Sequence, residues 1–309
     1  MIKRRDFLGQ TLACAAVAAT TGLAGCSEPE GTEDVEAALE LLDRNQELFD
    51  EFEALEDDEL PDRAELDGIH QRISDAETHL DAADAVAEDD ELREAIDLGY
   101  VLVSFQRSMT QALESMIDVL NGLDTVLAQF DAERYEDALE TLGEAREHLS
   151  DANDAVSAAI EALEDVDEDV FEAQEQIEHR VGIGQLEGLD DELDIFEEQF
   201  EGFEEMMNGM LAFEASLDAL EDEDFDEARR HAETARDEFE AVASRFEALE
   251  NDPELPAHME ADVVALRSDA DSLHQGTGHY LDALDAAARE DWEAFDEHLE
   301  AMEEAFRSV

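Results

Sequence analysis

Nine histidines, two cysteines and 90 carboxylates are the side chains of this 309-residue chain best equipped for chemistry. The histidines first raise the question of a metal. A carboxylate-rich metal bundle uses Glu-x-x-His on inward helix faces, and no histidine here has a Glu three residues before it. His70 and His274 follow Asp67 and Asp271 instead, a weaker pattern. His274 and His279 stand about 140° apart around a helix, too far to face one site. The expectation is structural or surface histidines, with no metal and no cofactor.

The carboxylates offer oxygen ligands in three acidic turns, Glu56-Asp57-Asp58-Glu59, Asp165-Val166-Asp167-Glu168-Asp169 and Glu221-Asp222-Glu223-Asp224. Laid on a calcium-binding loop, Asp165, Asp167 and Asp169 take the first alternating ligand positions. Val170 then stands where the turn needs glycine, and Gln176 where it needs a bidentate Glu. Diffuse counter-cations are therefore expected rather than a calcium site. No Gly-x-Ser-x-Gly elbow presents a nucleophile, and Gly182-x-Gly184 lacks the strand and third glycine of a dinucleotide loop. No enzymatic activity is expected.

Both thiols lie in the first 26 residues, and beyond Cys26 the chain has none for a disulfide or a cysteine-ligated metal. Lys3, Arg4 and Arg5 open a mildly apolar stretch from Phe7 to Ala24 that is too short and too weakly apolar to span a bilayer. Arg4-Arg5-Asp6-Phe7-Leu8 resembles the twin-arginine export motif, and Leu23-Ala24-Gly25-Cys26 resembles a lipobox. In that order the two resemble the leader of a twin-arginine-exported lipoprotein of haloarchaeal type. The resemblance implies a signal peptide over residues 1–25, export in the folded state, cleavage before Cys26 and a lipid on that thiol. Residues 26–33 then read as the lipidated cysteine and a short polar tether.

The formal charge is −72, from those 90 acids against 18 basic residues, and no lysine follows Lys3. Such a surface repels nucleic acid and anionic lipid and attracts cations. The acid excess and a pI near 4.1 resemble proteins of extreme halophiles, whose solvent holds the Debye length at about 3 Å at 1 M salt.

The body is expected to be all-α, an elongated antiparallel helical bundle or an array of helical hairpins with coiled-coil-like seams. Ala, Leu, Glu and Arg dominate and strand signals are missing. One ladder, from Leu102 and Phe105 through Met109, Met116 and Leu123 to Phe130, predicts a helix over about residues 91–130. A second runs from Leu186 to Leu220, with a Phe/Met stripe at Phe196, Phe200, Phe203, Met206, Met207, Met210 and Phe213. That stripe has the composition of a docking groove, but it continues the seam and is expected to be core. Val181-Gly182-Ile183-Gly184-Gln185 predicts an interruption, dividing a helical half over 33–180 from another over 186–309.

Four related helix starts recur, at Glu33-Asp34-Val35, Glu133-Arg134-Tyr135, Glu223-Asp224-Phe225 and Glu290-Asp291-Trp292. Tyr135-x-x-Ala138-x-x-x-Leu142 and Phe225-x-x-Ala228-x-x-x-Ala232 resemble the second helix of a tetratricopeptide unit. The spacing between copies is irregular, so the likeness reads as shared hairpin physics.

The expected function is a lipid-anchored binding or structural module on the outer face of the cytoplasmic membrane. Its partners are the membrane, through the lipid on Cys26, and a protein or small extracellular ligand, with no nucleic acid. Two alternatives are a metal- or haem-binding bundle of the cell envelope and a solute-binding lipoprotein.

Overall fold

A computed structural model describes residues 30–53, 61–164, 179–253, 255–257 and 259–307. Among these residues the fold is all-helical: α1 (Thr32–Glu53), α2 (Arg63–Asp84), α3 (Asp90–Asp131), α4 (Tyr135–Glu164), α5 (His179–Glu221), α6 (Phe225–Glu250), α7 (Glu260–Ala288) and α8 (Trp292–Phe306). Long apolar ladders make these helices, and acidic caps start several of them. Asp62 accepts from the Ala64 amide at 3.0 Å while Glu65 reaches back to the Asp62 amide at 3.3 Å, a reciprocal capping box. Asp224 and Asp291 accept from the amides of Glu227 and Ala294 at 3.1 and 3.3 Å.

The helix predicted over 91–130 is α3, and the second ladder is α5. The predicted interruption at Val181–Gln185 does not occur: α5 keeps helical backbone through Gly182 and Gly184. Each glycine costs about 1 kcal/mol relative to alanine inside a helix, and a 43-residue helix with a continuous apolar seam has ample packing to offset that. The first helix opens at Thr32, inside the stretch expected as tether.

The four repeated starts are the beginnings of α1, α4, α6 and α8, and three of them share one turn. Glu133, Glu223 and Glu290 have φ of 57°, 59° and 58°, the left-handed region that helix ends usually fill with glycine. In each copy the glutamate amide donates to a carbonyl three residues back, and the next amide to one five residues back. Asp224 to Ala219 at 2.9 Å and Asp291 to Ala286 at 3.0 Å are examples. This is a Schellman closure in which the residue after the left-handed position is already the cap of the next helix.

A side chain in that conformation is strained by about 1 kcal/mol. Glu223→Gly and Glu290→Gly are therefore expected to raise stability by at most about 0.5 kcal/mol each, because glycine's larger unfolded-state entropy offsets about 0.5–1 kcal/mol of the relieved strain. Urea unfolding in molar salt measures this. Glu223→Ala is the control, since it removes the same charge and keeps the Cβ.

The chain forms two compact units, and neither is a continuous segment. Among the described residues, one comprises residues 30–120 with those of 147–193; the other comprises residues 121–146 with those of 194–307. The borders fall inside α3, α4 and α5.

In the first unit α1, α2 and the first part of α3 bury Val35, Phe49, Leu66, Ile69, Ile73, Leu80, Phe105 and Met109. A polar layer crosses this core. Asn45 donates to Gln106 at 3.0 Å, Gln106 donates to the Leu42 carbonyl at 3.0 Å, and Thr110 donates to the Gln106 carbonyl at 2.6 Å. A buried polar group must find such partners, so the layer fixes the mutual register of α1 and α3. Arg72 donates to Asn45 at 2.5 Å, and burial together with the nearby Arg44 lowers its pKa.

In the second unit the Phe/Met stripe of α5 is core: Phe196, Phe200, Met206, Met207 and Phe213 are buried, and Phe203 and Met210 half-buried. Two arginines clasp the acidic face of the same helix. Arg146 reaches Glu197, Glu201 at 3.6 Å and Glu204 at 2.8 Å; Arg245 reaches Glu198, Glu201 at 2.7 Å and Glu205 at 2.9 Å. The hydrogen bond to Glu205, opposed in part by burial, raises the pKa of Arg245. A planar guanidinium that donates to several carboxylates suits this role, as a lysine ammonium would not.

Candidate metal centre

The residues expected to act from the sequence fall into two groups. Arg4, Arg5, Phe7, Leu8 and the segment Leu23, Ala24, Gly25 and Cys26 lie outside the described residues, as do the acidic turns at 56–59 and 165–169. The third acidic turn, Glu221 to Asp224, is the Schellman closure between α5 and α6, where Asp224 caps a helix.

Four histidines are tied to one polar partner each. His70 Nε2 lies 3.1 Å from Glu114 Oε2, His79 Nδ1 2.9 Å from Asp34 Oδ1, and His231 Nε2 3.1 Å from Glu227 Oε1. His274 Nδ1 donates to the Arg236 carbonyl at 3.2 Å. Neither His70 nor His274 uses the aspartate three residues before it. His70 pairs instead with a glutamate of α3, and Asp271 lies 3.8 Å from Arg267.

His279 and His298 come together, which their sequence separation does not show. His279 and Asp282 stand three residues apart on α7 and so share a face. His298 stands opposite on α8, its ring stacked on that of His279 with centroids 6.5 Å apart and planes at 24°. One ligand atom from each of His279, Asp282 and His298 lies within 4.8 Å of the other two. Among the described residues no other group of three or more His, Cys, Asp or Glu side chains does this. The two histidines are half-buried and the aspartate is exposed.

The hairpin that carries them is fixed at both ends. At one end is the Schellman closure at Glu290. At the other, Phe306 packs over Gly276, where a Cβ would lie 2.2 Å from the ring. Phe213 stacks edge-on against both Phe306 and Tyr280, at 5.0 and 5.2 Å between centroids. Tyr280, next to His279, is fully buried, and burial raises its pKa. Arg229 of α6 pairs with Asp285 on α7, one turn beyond Asp282. The backbone under the three ligands is thus held by packing that does not involve them.

Two imidazoles and one carboxylate form a donor set that suits late first-row divalent ions. Calcium and magnesium take oxygen ligands throughout. Bonds of about 2.0–2.2 Å put the donors of a tetrahedral ion about 3.3 Å apart. Closing 4.8 Å to that span requires side-chain rotation, and the exposure of Asp282 leaves it free to turn.

Among the described residues no helix is long and apolar enough to cross a membrane. No protein-family model, curated protein or solved structure matches the chain.

Proposed function

We propose that the protein is a binding or structural module without enzymatic activity, held on the outer face of the cytoplasmic membrane by a lipid on Cys26. Its acidic helical body presents a rigid surface to a protein or small extracellular ligand. The observation that carries this reading is the leader: twin arginines, a short apolar stretch and Leu23-Ala24-Gly25-Cys26, followed by a lysine-free acidic body. The small residues before the cysteine fit a peptidase pocket, and the thiol is the nucleophile that accepts the lipid. An all-helical body supports the reading, because long packed helices give an exported protein a fixed surface without disulfides. Cleavage after Gly25 removes three basic residues and one acid, leaving no lysine on the working molecule.

Cys26→Ser is expected to move the protein from the membrane fraction to the soluble extracellular fraction, read by immunoblot after fractionation in molar salt. Persistent membrane association of that variant sinks the lipid anchor. Arg4→Lys with Arg5→Lys should in turn leave the uncleaved precursor inside the cell.

A further inference from the structure

We propose that His279, Asp282 and His298 bind one late first-row divalent transition ion, such as Zn²⁺ or Cu²⁺, across the α7–α8 hairpin. The inference stands on geometry independent of the leader. Three ligand atoms of mixed nitrogen and oxygen type converge within 4.8 Å, from two helices whose approach is set by other contacts. Half-buried imidazoles select the ion. The many carboxylates elsewhere concentrate cations of every kind without distinguishing them, whereas an imidazole pair discriminates against hard cations. The remaining coordination positions face solvent on the Asp282 side and take water. The site would bridge the two last helices of the second unit, as a metal clip that closes a hairpin. It would also give that surface a position where an outside ligand could complete the coordination.

Trp292 makes the test direct. It is the only tryptophan, it is 57% exposed, and it lies six residues before His298 on α8, about 9 Å along the helix. Bound Cu²⁺ at that distance quenches its fluorescence.

The titration uses the full chain with Cys14→Ser and Cys26→Ser, so that no thiol competes, in molar potassium chloride with excess Mg²⁺ to occupy diffuse sites. Quenching by Cu²⁺ is expected to saturate at one equivalent, with electron paramagnetic resonance showing hyperfine structure from two imidazole nitrogens. Zn²⁺ should displace the copper. His279→Gln and His298→Gln are each expected to weaken binding at least about tenfold and to remove one nitrogen from the spectrum. Circular dichroism in the same salt checks their fold. Asp282→Asn changes an exposed residue, and should weaken binding while both nitrogens remain. Quenching that Mg²⁺ abolishes in the unsubstituted site, or that survives unchanged in all three variants, overturns the proposal.

Discussion

Transfer from molar salt to about 10 mM salt is expected to unfold the protein, read as loss of the helical circular dichroism signal near 222 nm. The chain carries 72 more negative than positive charges, and its arginines neutralise only a local share of them. On a helix, acids three or four residues apart lie about 6 Å from each other. Unscreened in water, two unit charges at that distance repel by about 0.7 kcal/mol. The Debye length grows from about 3 Å at 1 M to about 30 Å at 0.01 M, so at low salt each acid feels many others. A few tens of such pairs rival the whole stability of a domain, about 5–15 kcal/mol.

Helix ends aggravate the effect. None of the eight described helices has a basic residue in its last turn. The negative ends of their dipoles are therefore left to solvent cations. Retained helicity in dilute buffer would show that the acid excess is tolerated without screening.

Acidification supplies the matching control. Burial, with Glu133, Asp218 and Glu136 nearby, raises the pKa of Glu214; burial, with Glu205 and Asp237 nearby, raises that of Glu238; burial alone raises that of Asp269. A carboxyl whose pKa is higher folded than unfolded binds its proton more tightly in the folded state. Its penalty is full above the folded pKa and is relieved as pH falls through it. At low salt, lowering the pH from 7 toward about 5, just above the ordinary glutamate range, should restore helicity rather than remove more of it.

The long elements were readable because their signal is redundant. The ladder predicted over about 91–130 became Asp90–Asp131, since many apolar residues on one stripe leave a single way to bury them. The Phe/Met stripe was core for the same reason. The predicted break at Val181–Gln185 does not form, because two local glycine penalties are small beside the packing available to a 43-residue helix.

The candidate metal centre was hidden for a different reason. Ligands on one helix are found by spacing, whereas His279 and His298 meet only when the chain reverses between them. The signal lay in the repeated Glu223-Asp224-Phe225 and Glu290-Asp291-Trp292. Each opens a helix, but its glutamate also closes the helix before it. Reading Glu290 as a reversal folds α8 back along α7 and brings residues on either side of the turn opposite one another. No glycine marks these turns, so ordinary turn signals pass over them.

Gly202→Ala with Gly209→Ala is expected to destabilise the protein by up to about 4 kcal/mol, although alanine is the better helix former. Both glycines lie on α5 facing α6, and each receives an aromatic ring. A Cβ at Gly202 would lie 2.6 Å from Phe246 Cζ, and one at Gly209 would lie 2.6 Å from Phe239 Cε1. The glycines are one heptad apart, and so are the phenylalanines in the opposite direction. The two contacts therefore share a single antiparallel register. Both rings are fully buried and have nowhere to retreat, so overpacking costs about 1–3 kcal/mol at each position. The sites are about 10 Å apart along the helix, far enough for the costs to add.

Intrinsic propensity works against this loss by up to about 1 kcal/mol per residue, and its size is measurable in the same protein. Gly143 on α4 is exposed, with nothing within 4 Å of its would-be Cβ. Gly143→Ala should therefore raise stability where Gly209→Ala lowers it. If Gly209→Ala also stabilises, the ring does not occupy the notch. If it destabilises, Phe239→Leu should recover part of the loss in the double variant, with a coupling energy of about 0.5–3 kcal/mol. That sign pattern would identify the glycine notches as the device that sets the register of α5 against α6.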